Sequence, residues 1–180
     1  SSEGAVNATG TSATFNKPSG ITTDGTNLYV ADRSNHRIRK IVISTGAVTT
    51  LAGSSTGFAD NATGTSARFR YPHGITTDGT NLYVADYSNG KIRKIVISTG
   101  VVTTLADSGF TYPRGITTDG TNLYVADRNN DRIQKIVIST GVVTTFAGSV
   151  QGYTDDTGTS ASFYYPRGIT TDGTNLYVSD

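Results

Sequence analysis

The stretch Gly-Ile-Thr-Thr-Asp-Gly-Thr-Asn-Leu-Tyr-Val, residues 20–30, decides the fold, because the same stretch occurs four times without a change. The other copies begin at Gly74, Gly115 and Gly168, so successive copies lie 54, 41 and 53 residues apart. Recurrence at a spacing of this kind indicates a repeat architecture, in which each unit buries its apolar side chains against its neighbours.

A second block and an insert complete the repeat. The block Ile-Arg-Lys-Ile-Val-Ile-Ser-Thr-Gly begins at Ile38 and Ile92, and it returns at Ile133 with Gln134 in place of arginine. The two long spacings also contain Thr-Gly-Thr-Ser-Ala-x-Phe, a motif that recurs near the start of the chain as residues 9–15. The basic unit is therefore about 41 residues long, and some copies carry an insert before it.

Each unit reads as four short strands joined by tight turns. In the first unit we predict strands a to d at residues 21–23, 27–31, 37–43 and 47–51. Asp24-Gly25 between strands a and b is a strong hairpin signal, and Ser44-Thr45-Gly46 separates strands c and d. Four-stranded units of this length, each needing neighbours on both faces, predict an all-β fold, namely a β-propeller built of four-stranded antiparallel blades.

The units divide the chain as a single propeller domain or propeller segment. We predict three complete blades at about residues 18–53, 72–107 and 113–148, and a half blade at 166–180. Long inserts are predicted at about residues 1–17, 54–71 and 149–165. Three and a half blades leave the ring incomplete, so we expect either further blades or partner chains to complete it. A half blade also exposes a strand edge, which favours self-association.

The repeat resembles a known family. Pro-x-Gly-Ile-x-x-Asp-Gly-x-Asn-Leu-Tyr-Val-Ala-Asp-x-x-Asn-x-x-Ile is present at residues 18–38, 72–92 and 113–133, and residues 166–180 carry its first half. This pattern is similar to the blade of NHL-repeat β-propellers. The resemblance implies the propeller fold but leaves the function open, because such proteins include RNA-binding and protein-binding modules, receptor sensor domains and a lyase.

Composition excludes several classes of protein. Lys and Arg number 15 against 14 Asp and Glu, so a net charge of +1 gives no whole-molecule case for nucleic acid or a membrane surface as partner. No apolar run approaches the roughly 20 residues that span a bilayer. The chain contains neither cysteine nor methionine. Because translation starts with methionine, an N-terminal piece was either removed or not included in this sequence. Cleavage of a secretion signal is one explanation, and with the Thr/Ser/Asn/Gly-rich, thiol-free composition we expect a protein that is secreted or displayed at the cell surface.

Strand parity predicts where the variable loops lie. The a–b and c–d turns lie on one face of the propeller and read alike in every unit, whereas the b–c loops and d–a connections lie on the other face and differ. The b–c loops are residues 33–36, 87–90 and 128–131. Loops on a rigid scaffold commonly carry binding residues, so the variable face is the predicted functional face.

A candidate ligand site follows from the residues that flank each blade's proline. Ser19 and the three site candidates His73, Arg114 and Arg167 follow a proline and are expected beside the central channel; the residues before the prolines are Lys17 and the candidates Tyr71, Tyr112 and Tyr165. Arg, His and Tyr together suit a carboxylate, phosphate or acidic sugar. The alternative is structural: each tyrosine packs between blades and an arginine stem covers it.

Metal binding and catalysis have little support in the sequence. The Asp-x-x-Asn pairs after strand b, such as Asp32 and Asn35, are interpreted as turn-forming groups, with Asn in the left-handed position and the cation at Arg37, Lys91 or Arg132 available to the Asp. His36 and His73 are the only histidines, which excludes a histidine-rich zinc site. We therefore expect no metal, no cofactor and no enzymatic activity.

The resulting functional prediction is a non-catalytic extracellular binding or scaffold module. Its variable face would hold a glycan, a peptide or a protein. Two alternatives remain open: a structural repeat protein that assembles through its ends into a ring or fibre, and an RNA-binding NHL module that uses arginines on the variable face.

Overall fold

The structure is a computed structural model that describes residues 4–180. It is an all-β propeller segment with three four-stranded antiparallel sheets and one two-stranded sheet, arranged as an open ring. Blade 1 contains β1 (Gly20–Thr23), β2 (Asn27–Asp32), β3 (Arg37–Val42) and β4 (Val48–Ala52). Blade 2 contains β5 (Pro72–Thr77), β6 (Asn81–Asp86), β7 (Lys91–Val96) and β8 (Val102–Ala106). Blade 3 contains β9 (Pro113–Thr118), β10 (Asn122–Asp127), β11 (Arg132–Val137) and β12 (Val143–Ala147). The half blade contains β13 (Gly168–Thr171) and β14 (Leu176–Ser179).

The only helical elements in residues 4–180 are short 3-10 turns. Three lie in the inserts and three in the b–c loops, at Gly10–Ser12, Gly64–Ser66, Gly158–Ser160, Arg33–Asn35, Tyr87–Asn89 and Arg128–Asn130. None of the described helical elements is long and apolar enough to cross a membrane.

The a–b hairpins form as their sequence predicts. The carboxylate of Asp24 accepts the backbone N–H groups of Thr26 and Asn27 at 2.9 and 2.7 Å, and it accepts the Tyr29 hydroxyl at 2.7 Å. Gly25 follows with φ +88°, a conformation that side-chain-bearing residues rarely adopt. Partial burial opposes the charge on Asp24, but these hydrogen bonds outweigh it and lower the pKa of the carboxyl well below its usual range.

Apolar side chains fill the spaces between consecutive blades. Between blades 1 and 2, Tyr29 and Ile38 pack against Leu82 and Ile95, and Phe69 from the insert completes the cluster. An equivalent cluster joins blades 2 and 3, with members that include Tyr83, Ile92, Phe110, Leu123 and Ile136. Because each sheet is covered on both faces, strand c lacks a clean polar and apolar alternation.

The first strands of the blades lie side by side around the axis, and glycine permits their approach. A Cβ atom on Gly74 would collide with the carbonyl oxygen of Arg114, and one on Gly20 would collide with that of His73. At the equivalent position of the half blade, a Cβ on Gly168 meets only the Ser179 hydroxyl, at 2.9 Å. The close packing of these strands fixes the positions of the residues that follow each proline.

Each described insert is bound to the blade that follows it. Asn61 of the second insert exchanges two backbone hydrogen bonds with Val102 of β8, at 3.1 and 2.9 Å, and thus extends the outer edge of blade 2. The same insert remains attached to blade 1, because Gly53 donates its N–H to the Gly64 carbonyl at 3.0 Å. The insert therefore connects the outer edges of two neighbouring blades.

A buried arginine anchors the insert. The Arg93 guanidinium contacts the Asp86 carboxylate at 2.9 Å, and it donates to the carbonyls of Arg68 and Ala59 and to the Asp60 carboxylate. Arg39 holds the first insert in the same way. Blade 3 is preceded only by the short connection 107–112, and its equivalent residue is Gln134. The arginine occurs where an insert must be held and is absent where none exists.

The aspartate at the end of each strand b is a structural group. Oδ1 of Asp86 accepts the Arg70 N–H at 2.8 Å, and Oδ2 accepts the Asn89 amide at 2.8 Å. The predicted pairing of this aspartate with the cation after the asparagine holds only for Arg132 in blade 3, at 3.1 Å. In blades 1 and 2 the partner is the arginine two residues further along, whose guanidinium is also held by backbone carbonyls of the insert.

The left-handed residue in the b–c loops differs from the prediction. The asparagine belongs to the 3-10 turn, and the next residue takes the left-handed conformation: His36 at φ 58°, Gly90 at 61° and Asp131 at 50°. The asparagine amide is engaged with the aspartate instead, so it stays in the turn.

Two blade faces have no sheet packed against them in the described residues. Blade 1 presents Ile21, Val30 and Ile41, which line an apolar cavity of about 320 Å³; we call this the blade-1 face. The half blade presents Thr170, Tyr177 and Ser179, which we call the half-blade face. Ile21 is 60% exposed and Tyr177 is 55% exposed, whereas the equivalent Ile75 and Tyr29 are buried between blades 1 and 2.

Candidate functional site

The variable loops converge on one face around a polar cavity of about 430 Å³, which we call the mouth. It is lined by Lys17, Pro18, Ser19, Arg33, His73, Tyr87, Arg114 and Arg128. These residues come from the segments before strand a, the starts of strand a and the b–c loops of three blades. The convergence follows from strand parity, since both kinds of connection leave the sheets on the same face.

The predicted site residues occupy different places around the mouth. His73 and Arg114 line the cavity directly. Arg167 is exposed on the half blade, and its charge acts on Arg114. The three predicted tyrosines do not line the cavity: Tyr71 and Tyr165 stack on two of its arginines, and Tyr112 stacks on Tyr87.

The residues before the prolines are held in a strained backbone conformation. Lys17, Tyr71, Tyr112 and Tyr165 have φ between 50° and 56°, a region that bulky residues rarely adopt. The Tyr71 N–H donates to His36 Nδ1 at 3.2 Å, and the Tyr165 N–H donates to the Asp131 carboxylate at 2.8 Å. Each of these partners belongs to the preceding blade, so blade-to-blade contacts support the conformation. Backbone strain of this kind is concentrated at functional sites in proteins.

A ring of stacked side chains connects the b–c loops to these tyrosines. The Arg33 guanidinium lies over the Tyr71 ring at 5.3 Å, and that of Arg128 lies over the Tyr165 ring at 4.6 Å. In blade 2 the equivalent contact is a pair of rings, because Tyr87 lies 4.9 Å from Tyr112. The first residue of each b–c loop thus stacks on the tyrosine of the next blade. The tyrosines pack between blades, and two b–c loop arginines cover them.

His73 and Arg114 are linked at the centre of the mouth. Arg114 Nε lies 3.0 Å from His73 Nε2 and donates to it, and the His73 ring lies 5.8 Å from that of Tyr87. Burial, followed by the charges of Arg114 and Arg33, lowers the pKa of His73 to about 4. The imidazole is therefore neutral at pH 7 and acts as a hydrogen-bond acceptor.

The mouth is a positive cluster. Burial and then the charges of Arg167, Arg128 and Arg33 lower the pKa of Arg114, which records the proximity of the like charges. None of the described residues that line the cavity is acidic. The Nε atoms of Arg33 and Arg128 are buried and have no hydrogen-bond partner. The arrangement can attract an anion and offers donors to bind it.

Sequence reasoning placed Arg33, Tyr87 and Arg128 in the variable loops, and the two arginines on the variable face, but it did not include them among the ligand-site residues. They occupy the same position in their repeats, the first residue of each b–c loop, and that position differs between blades. Within one repeat nothing indicates that this side chain reaches the next blade. The signal that points to it is variation at an otherwise identical repeat position.

The described residues show no arrangement typical of a metal centre. Within residues 4–180 no group of three or more His, Asp or Glu side chains is placed to hold a metal ion. His36 and His73 have separate partners, the Tyr71 backbone and Arg114.

Comparison with known proteins agrees with the repeat pattern. The NHL repeat family model matches residues 15–41. The human protein "NHL repeat-containing protein 2" is 38% identical over 109 residues, which is 57% of this chain but 15% of that protein. The chain thus spans a small part of the length of the curated relatives it matches.

Solved structures share the architecture at low sequence identity. A nidogen/laminin complex superposes with a TM-score of 0.64 at 22% identity, over 91% of this chain and 72% of that one. An auxiliary nutrient binding protein from Bacteroides thetaiotaomicron gives 0.69 at 19%, over 89% and 44%. Virginiamycin B lyase from Staphylococcus aureus gives 0.60 at 18%, over 90% and 48%.

The blades, their shared cores and these structural neighbours define the chain as part of a β-propeller. The family model matches the first blade and the curated relatives contain NHL repeats, so the resemblance seen in the sequence is confirmed. A propeller of this type is consistent with a binding or scaffold module.

Proposed function

We propose that this chain is a non-catalytic extracellular binding module whose variable face holds a glycan, a peptide or a protein. The observation that carries the proposal is the mouth itself: the loops that differ between otherwise identical blades meet there, and they bring together arginines and aromatic rings. Invariant turns occupy the opposite face. A rigid scaffold with variable loops at one end is the usual arrangement for recognition.

The chemistry of the mouth is the reason that we propose a binding role rather than a catalytic one. Its one histidine, His73, accepts a hydrogen bond at Nε2 from Arg114, and none of the described residues that line the cavity carries a carboxylate. No serine of the mouth has a base and an acid arranged around it in the described residues: the Ser19 hydroxyl donates to the backbone carbonyls of Pro72 and His73. Binding needs none of these groups.

Assembly through the blade ends is a second candidate role. Because the repeats are nearly identical, strands a and b of the half blade, with Tyr177 in the place of Tyr29, offer the blade-1 face part of the contact that blade 1 makes with blade 2. Such a head-to-tail contact generates rings or filaments. Negative-stain microscopy distinguishes the roles, because a binder gives discrete particles and a structural protein gives filaments.

Glycan and peptide arrays probed with the purified protein test the binding proposal. We expect a ligand whose binding is lost in Arg33→Ala and Tyr87→Ala, which change the variable face. Thr26→Ala on the invariant face is the matched control and should bind as the unchanged protein does. A ligand that is lost only in the control variant would place recognition on the other face and overturn the proposal.

A further inference from the structure

We propose that the mouth binds an acidic oligosaccharide through at least two of its carboxylates. This inference rests on the proposed binding function and names the chemical class of the ligand. It is carried by the positive side chains around His73 and by the lack of an acidic residue among the described residues that line the cavity.

The first step is the charge. Arg33 comes from blade 1, and Arg114 and Arg128 come from blade 3, so positive groups stand on both sides of the His73 contributed by blade 2. Like charges held close together raise the free energy of the empty site, and an anion relieves that cost. Because the cations lie on two sides of the cavity, a ligand with more than one negative group can contact both.

The second step is the hydrogen-bonding capacity. Arg33 and Arg128 are positioned by stacking on Tyr71 and Tyr165 rather than by an ion pair with a carboxylate. Their Nε atoms are buried, and Arg128 donates Nη1 to the Asn129 side chain at 2.7 Å, so it is the remaining terminal nitrogens that can meet a ligand. Arg114 uses its Nε on His73, which leaves its two terminal nitrogens for a ligand. A guanidinium presents its donors as a planar fork that matches a carboxylate.

The third step is the choice of a sugar over a nucleic acid. Three arginines of strand c outside the mouth are tied into ion pairs: Arg39 with Asp32, Arg93 with Asp86 and Arg132 with Asp127. The net charge of the whole chain is only +1, so acidic residues elsewhere balance the cations and the chain as a whole offers little attraction to a phosphate backbone. Exposed Tyr112, stacked on Tyr87, adds an aromatic rim beside the charges. A short acidic sugar chain fits this combination.

Titration calorimetry with tetragalacturonate tests the inference, and its fully methyl-esterified form is the control that keeps the sugar and removes the charges. We expect binding of the acid and none of the ester. Arg114→Gln should weaken binding about tenfold or more, since a charge-assisted contact is lost. Lys135→Gln removes one positive charge from the same blade outside the mouth and should change the affinity less than about twofold.

Other outcomes overturn the inference in distinguishable ways. If tetragalacturonate fails to bind while an array ligand still depends on Arg33 and Tyr87, the acidic-sugar assignment is wrong and the binding module stands. If no ligand maps to the variable face, both fail. Single-stranded RNA that displaces the sugar, with a steeper salt dependence, would reassign the mouth to nucleic acid. Equal competition by inorganic sulfate would show adventitious anion binding only.

Discussion

Arg93 Nη1 lies 2.9 Å from Asp86 Oδ2 inside blade 2, and neither side chain is exposed to solvent. Burial raises the pKa of Asp86, and hydrogen bonds from Arg70, Asn89 and Arg93 oppose that rise. The same guanidinium holds the insert through Arg68, Ala59 and Asp60, so one side chain serves both the blade and its insert.

Replacing Arg93 by the residue that blade 3 uses should therefore destabilise blade 2. Arg93→Gln leaves a buried carboxylate without its partner, and we expect a loss of about 3–5 kcal/mol in the free energy of unfolding. Urea unfolding measures the loss, and limited proteolysis should show faster cleavage within residues 54–71. Lys94→Gln on the same strand is the control, with a change within about 0.5 kcal/mol. Equal stability of the two variants would contradict the anchoring role.

Gly74→Ala should disturb the packing of the inner strands. The added Cβ collides with the Arg114 backbone, which cannot rotate away, so we expect a loss of about 1–3 kcal/mol. Gly168→Ala is the same change at the same repeat position, and there the Cβ meets only a serine hydroxyl. Thermal unfolding of both variants checks this. A larger effect at Gly168 would refute the argument from close approach.

The like charges of the mouth should make stability depend on salt. Screening reduces the repulsion between Arg114 and its neighbours, so added NaCl should raise the Tm of the protein. In Arg114→Gln we expect the Tm to rise by about 1–3 °C less between low and high salt than it does in the unchanged protein. Lys135→Gln should retain the full increase. Identical salt responses in all three proteins would mean that the cluster carries no measurable repulsion.

The depressed pKa of His73 predicts a loss of stability in mild acid. The imidazole titrates at about 4 in the folded protein and near 6.5 when unfolded, so between these values the unfolded chain binds more protons. Stability should fall as the pH is lowered from about 6.5 towards 4. His73→Gln should flatten this slope, leaving the contribution of His36, whose pKa is also lowered by burial and by Arg70. Melting temperatures measured between pH 7 and 4.5 decide it; an unchanged slope would exclude His73 as the cause.

The 180-residue polypeptide should self-associate through its two open blade faces. Ile21 and Tyr177 expose apolar surface of the kind that repeats bury between blades. In light scattering we expect the mass to rise with concentration above 18.9 kDa, and Ile21→Lys should suppress the rise. Val142→Lys, at an apolar residue 54% exposed but outside both faces, should not. A constant monomer mass at every concentration would show that the faces are stable when bare.

The repeat pattern predicts the strands well and the contacts between units poorly. The Asp24-Gly25 turn and the apolar runs place each strand of blade 1 within one or two residues of its observed bounds, because hairpin signals are local. The ion pair of Asp32 with Arg39 could not be inferred in this way. Arg37 stands directly opposite Asp32 in the ladder, but it is Arg39 that also donates to the carbonyls of Thr14 and Val6 in the insert and pairs with Asp32.

The residues of the mouth also divide into those that the repeat pattern could place and those that it could not. His73 and Arg114 could be placed beside the channel because their position after each proline is fixed by the strand that follows. Arg128 reaches its place by stacking on Tyr165 of the next blade. That contact depends on how neighbouring sheets are rotated against each other, which no single repeat encodes.

The insert that joins the outer edges of blades 1 and 2 also has a mechanical consequence. Blades 2 and 3 lack such a bridge, since residues 107–112 are too short to supply one, and they are joined by their inner strands and the cluster around Phe110. The outer edges of blades 1 and 2 are thus connected by the insert, whereas the outer edges of blades 2 and 3 are not. Under tension, or in a brief thermal opening, blades 1 and 2 should therefore move together, and the junction between blades 2 and 3 should open first.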